Sequence, residues 1–104
     1  MDPAIEECNI SDVVVSTAGR DCGSLFYVIG IEEAYLLLSD GRGRTLEKPK
    51  RKKRKHTKTI LRSETRVAAK LRCGDKVLNS ELRRDLAFIG REMQSNNPGG
   101  FELG

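Results

Sequence analysis

A chain of 104 residues and 11.6 kDa, 38% hydrophobic and 33% charged, holds material for one domain with a modest core and not for two independent ones. Its net charge of +4 hides a segregation: residues 1–47 carry nine acids against three bases, residues 48–58 eight bases and no acid, and residues 59–104 eight bases against six acids. Cys8, Cys22 and Cys73 are far apart and His56 is the sole histidine, which argues against a zinc site in the monomer, and no segment approaches transmembrane length.

The start, Met1-Asp2-Pro3-Ala4-Ile5-Glu6-Glu7, lacks the charged and apolar regions of an export signal, so a reducing cytoplasm is the expected location. Ser11 to Ala18 reads as a first strand, because three consecutive valines favour the extended chain. Gly19-Arg20-Asp21-Cys22-Gly23-Ser24 follows as a turn, with Gly19 and Gly23 available for positive φ. Leu25–Ile31 is the second strand, Glu32-Glu33 a short connection and Ala34–Ser39 the third strand; a link this tight predicts antiparallel pairing. Asp40-Gly41 signals the next turn, and Arg42–Leu46 a short fourth strand weakened by Gly43.

The basic tract that comes next has no apolar period, so it is either a solvated strand edge or an extended arm. Thr57–Leu61 reads as a last strand. Four or five short antiparallel strands close naturally as a small bent barrel. Beyond residue 63 the period lengthens: Val67 and Leu71 lie four apart, as in a short helix, and Cys73-Gly74-Asp75-Lys76 interrupts it. Asn79 or Ser80 is suited to cap a second helix running through Ile89. Leu82, Leu86 and Ile89 form its apolar face, Phe88 borders it, Arg83, Arg84 and Asp85 lie outside, and Gly90 is the stop. The expected organisation is an acidic segment (1–10), a barrel (11–62) containing the basic tract 48–58, a helical segment (63–90) and a flexible tail (91–104): mainly β with C-terminal α.

The run Val13-Val14-Val15-Ser16-Thr17-Ala18-Gly19-Arg20-Asp21-Cys22-Gly23, followed by Phe26, Val28 and Ile31, makes residues 12–56 resemble a KOW domain. With Asp40-Gly41-Arg42-Gly43-Arg44 and Pro49-Lys50-Arg51-Lys52-Lys53-Arg54-Lys55-His56, they resemble a narrower group. These are the bacterial KOW-domain RNA-binding proteins, related to the eukaryotic-type ribosomal protein fourteen of the large subunit. The likeness implies an SH3-like barrel, binding to ribosomal or similar RNA, and association with translation. Residues 74 and 80–86 are also similar in outline to the helical end of that group.

Lys48, Lys50, Arg51, Lys52, Lys53, Arg54, Lys55 and Lys58 are the expected RNA contacts, since flexible ammonium groups follow a phosphate backbone and arginine adds two-pronged contacts. Arg20, Arg42 and Arg44 sit on the two turns, where the resembled family contacts RNA; Arg20 alternatively pairs with Asp21 or Asp40 and braces a loop. Gly19, Gly23 and Gly41 shape these turns, and Asp21, which repels phosphate, is assigned to turn hydrogen bonding. His56 reads as a neutral donor or aromatic contact. Tyr27 and Tyr35 are either stacking platforms or, better, partly buried in the barrel wall.

No nucleophile–base spacing, phosphate loop or metal motif occurs, so neither an enzyme nor a cofactor is expected. Two rival functions are a protein–protein adaptor of the translation or transcription machinery, acting through the Leu82–Ile89 helix, and non-specific DNA binding. Ribosomal proteins are the partners such a helix would meet, and no membrane anchor accompanies the basic tract.

Overall fold

Alternation along the strands builds two cores from one sheet. The computed structural model describes residues 8–95, so most of the acidic segment and the chain after Ser95 lie outside the described residues. Five strands pair antiparallel in the order β4-β3-β2-β1-β5: β1 Asp12–Ser16, β2 Leu25–Glu32, β3 Tyr35–Ser39, β4 Lys50–Lys53 and β5 Thr57–Arg62. Val13 opposite Tyr27 faces one side of the sheet, while Val14 opposite Phe26 faces the other. Val14, Phe26, Val28, Leu36 and Leu38 make the core on that second side. The β2–β3 register shifts between Val28 and Gly30, and a Cβ at Gly30 would stand 2.7 Å from the Leu37 side chain, so the bulge needs glycine there.

The expected mainly-β, SH3-like barrel does not form: the molecule is a mixed β/α domain with an open five-stranded sheet and two C-terminal helices. β4 and β5 are its edges and are not hydrogen-bonded neighbours. They are joined by a single 3₁₀ turn, Arg54–His56. That link spans at most about 14 Å, whereas the edges of a flat sheet of this width are roughly 19 Å apart. The sheet therefore curls. Arg54 N donates to Ala34 O at 2.8 Å and Thr17 N to His56 O at 2.9 Å, so the turn is bonded to the residue before β3 and to the residue after β1. Elsewhere, pairing would set Lys50–Lys53 beside a strand carrying Lys58 and Arg62, and like charges directly across a ladder are destabilising.

The helices cover the Val13–Tyr27 side. α1 (Arg66–Cys73) starts at Thr65, whose hydroxyl accepts from Ala68 N at 3.1 Å, and ends at Gly74 with φ 80°. α2 (Asn79–Ser95) packs Leu82, Leu86 and Ile89 against Ala68, Val13 and Tyr27. It runs through Gly90, the expected stop, and so takes in the first residues of the expected tail. A glycine inside a helix costs only about 1 kcal/mol, less than packed neighbouring turns return.

Asp85 was expected on the outer face of α2, yet it joins a polar network under the helix. The Tyr27 hydroxyl donates to the Asp85 carboxylate, Thr65 Oγ1 donates to it at 2.8 Å, and Tyr27 Oη lies 2.8 Å from Ser63 Oγ. Tyr27 is fully buried. These bonds tie β2, the β5–α1 connection and α2 together, with Tyr27 and Ser63 buried and Thr65 and Asp85 half-buried. Burial first, and the Asp85 carboxylate second, push the tyrosine hydroxyl up to about 12. The folded chain thus keeps this proton where the unfolded chain loses it. The resulting stabilisation is complete below the ordinary tyrosine pKa of about 10 and disappears as pH rises to about 12. Tyr27→Phe is expected to lower stability by about 1–3 kcal/mol at pH 8. It is also expected to flatten the decline in unfolding free energy between pH 10 and 12, as urea titrations at stepped pH would measure; an unchanged decline would remove Tyr27 as its source.

Candidate nucleic-acid interface

Two glycine-bearing turns and the edge strand converge at one end of the sheet. In the first, between β1 and β2, Gly19 and Gly23 have φ of 88° and 93°, and Gly23 N donates to Ser16 O at 2.8 Å. Asp21 Oδ1 accepts from Ser16 Oγ at 2.9 Å, the turn-bonding role expected of it. In the second, Asp40 Oδ1 accepts from the amides of Arg42 and Arg44, each at 2.9 Å, and Ser39 Oγ donates to Arg44 O at 2.7 Å. Residues 42–46 form this bonded loop rather than the expected strand.

The second turn is clamped by α2. Gly41 has φ 74°, and a Cβ there would stand 2.3 Å from Asn79 O, so both backbone angle and space require glycine. Arg83 donates to Gly41 O at 2.8 Å. Asn79 Oδ1 accepts from Leu46 N at 2.8 Å, and its amide nitrogen donates to Glu47 at 2.9 Å. Asn79, one of the two residues expected to cap the helix, is thereby turned to the loop, while Glu81 accepts from Leu78 N at 2.9 Å.

Between the turns and β4 lies a cleft of about 300 Å³, lined by Arg20, Asp21, Phe26, Asp40, Arg44, Lys50 and Lys52 among others. Arg20 and Arg44 are exposed and Lys50 is half-buried. Lys52 is different. It is 8% exposed, and its Nζ lies 2.8 Å from both Asp21 Oδ1 and the Ala18 carbonyl. The Lys52 hydrogen bond holds the Asp21 carboxyl below the usual carboxylate range. Lys52 is thus committed to the first turn and is no free phosphate ligand.

The rest of the tract divides by strand alternation. Arg51 points to the opposite face from Lys52, where its Nε meets Glu32 Oε1 at 2.9 Å and its guanidinium covers the Tyr35 ring at 3.7 Å. Arg54 is half-buried, with Nε enclosed, and His56 is half-buried in the 3₁₀ turn. Lys48, Lys53, Lys55 and Lys58 are exposed, as is Arg42. On α2, Arg84 is exposed while Arg83 serves the Gly41 turn. The cations available to a candidate interface are therefore Arg20, Arg42, Arg44, Lys48, Lys50, Lys53, Lys55 and Lys58. Lys52 could not be separated from these by sequence, because its partner Asp21 is 31 residues away. Among the described residues no group of three or more His, Cys, Asp or Glu is placed to hold a metal ion.

A lysine enclosed with one carboxylate and one carbonyl behaves unlike its exposed neighbour. Lys52→Ala is expected to destabilise the fold by about 3 kcal/mol or more, because it strands Asp21. Lys53→Ala is expected to stay within about 0.5 kcal/mol of the parent. Chemical denaturation of the two variants checks this directly, and equal midpoints would contradict the burial of Lys52.

No protein-family model and no curated protein matches the chain. The likeness of residues 12–56 to KOW domains rests on the residues quoted for it.

Proposed function

We propose that this protein binds RNA through its phosphate backbone, at the cleft and along the adjoining basic edge of the sheet. The observation that carries this reading is convergence. Arg20, Arg44 and Lys50 come from three separate segments to one cleft, while Lys48, Lys53, Lys55 and Lys58 stand exposed along the run from the loop before β4 through the 3₁₀ turn into β5. The one carboxylate in the first turn that would repel phosphate is neutralised by Lys52. Arginine clasps phosphate with two parallel donors, while the lysines neutralise charge with little demand on geometry. Each phosphate so neutralised releases condensed counterions, which makes affinity steeply dependent on salt.

Structured RNA suits such a surface because its helices are read by shape and backbone. The likeness to KOW-domain proteins makes ribosomal RNA the proposed target, with a role in translation. α2 then serves to hold the second turn in place, through Asn79 and Arg83.

Reversing Lys48, Lys50, Lys53 and Lys55 to Glu is expected to abolish binding to folded ribosomal RNA while circular dichroism stays that of the parent, since all four lie outside the ion pairs among the described residues. Lys53→Ala alone is expected to reduce the slope of log affinity against log salt by about one. Binding retained by the fourfold variant at physiological salt would refute the proposal. Duplex DNA that competes as well as folded RNA, at equal phosphate concentration, would replace RNA preference with general polyanion binding.

A further inference from the structure

Arg51 was counted with the phosphate-binding cations, but its surroundings fit another task. Three adjacent strands contribute to one spot on the sheet face opposite Leu36, Leu38 and Lys52. Glu32 on β2 pairs across to Tyr35 on β3, and Tyr35 pairs across to Lys53 on β4, one residue beyond Lys52. Arg51, opposite Leu37, is the diagonal neighbour of Tyr35 and reaches over its ring, 3.7 Å from the centroid. Glu32 fixes the guanidinium from the side with a 2.9 Å bond to Nε. One face of the guanidinium thus rests on an aromatic ring. Its other face is turned from that ring, and the Arg51 side chain remains 57% exposed.

A cation meant only to neutralise phosphate gains nothing from being held flat. Mobile lysines do that work, and the Glu32 carboxylate partly cancels the charge of Arg51. A flat, delocalised cation with one face covered and one face open is, by contrast, a stacking surface for another planar group. Lys53 stands exposed directly across from Tyr35, in position to meet the phosphate attached to such a group. From this juxtaposition we infer that the Tyr35–Arg51–Glu32 assembly is a platform for a single unpaired RNA base. It gives the protein a preference for helices interrupted by a bulged or flipped-out nucleotide. The inference rests on the RNA-binding reading and names the feature of the RNA selected.

Stacking is sequence-tolerant, since every base has a π face, so the preference is for an unpaired nucleotide and not for a particular letter. Purines, with the larger face, are favoured over pyrimidines. A fully paired helix keeps its bases inside the stack and leaves the platform empty, while the cleft and the lysines still hold its phosphates.

The test uses the full chain and two RNA hairpins that differ only by one bulged 2-aminopurine. The parent protein is expected to bind the bulged hairpin about tenfold more tightly, a typical stacking contribution, and to quench the fluorescence of the bulged base. Arg51→Lys keeps the charge but not the plane. It is expected to bind both hairpins equally, with the salt dependence of the parent, and to lose the quenching. Tyr35→Leu, which removes the supporting ring, is expected to reduce the preference in the same way. Equal binding of both hairpins by the parent, or an Arg51→Lys variant that keeps the preference, would overturn the platform and leave backbone binding standing. Failure of the parent to bind either hairpin would overturn both.

Discussion

The architecture of the candidate interface depends on one enclosed ion pair. Lys52 belongs to a strand at the margin of the sheet, Asp21 to a turn between two others, and their contact fastens the margin to the turn. Such a pair adds little net stability, because withdrawing two charges from water offsets much of their attraction. What it contributes is selection. In a strand where Lys50, Arg51, Lys52 and Lys53 follow one another, hydrophobic pattern cannot set the register, and a slip by one residue would exchange the inward and outward sets. In the register adopted, the enclosed ammonium of Lys52 has both a carboxylate and a carbonyl. That choice sends Lys50 to the cleft and delivers Arg51 to Tyr35.

A second constraint comes from α2. Its apolar face makes it part of the core, but its polar groups do more than decorate the outside. Asn79 and Arg83 grip the loop after β3, and Asp85 accepts from Tyr27 and Thr65 beneath the helix. The helix therefore locates one wall of the cleft while the buried network locates the helix on the sheet. Separation of roles is legible in the side chains: groups that are enclosed or paired hold shape, and those left exposed face the solvent with positive charge.

Much of this was readable from residue order. The valine run, the apolar segments around Phe26 and Leu37 and the four-residue spacing beyond residue 63 mark β1, β2, β3 and both helices, because burial of one face imposes a period. The errors have separate causes. The strand at 42–46 and the outward placement of Asp85 turn on partners distant in sequence, barrel closure on like charge across the two edge strands, and the end of α2 at Gly90 on packing that outweighs the cost of one glycine. Asn79 meets Leu46, Asp85 meets Tyr27, and Lys52 meets Asp21. The turns and the basic tract were visible as candidates for the interface. Which lysine is structural was not, for a lysine one residue along carries the same charge and has the opposite environment.

An open sheet has two rims of unsatisfied backbone donors and acceptors, each a template on which another strand can grow. Here the rims are β4, made wholly of lysine and arginine, and β5, which carries Lys58 and Arg62. Two copies approaching rim to rim meet with charges of one sign, so self-assembly into extended ladders is opposed by the same side chains proposed to hold RNA. The protection is conditional on those charges being unscreened. High salt or a bound polyanion weakens the repulsion, and the chain then relies on the shortness of the four-residue rim to stay apart from its copies.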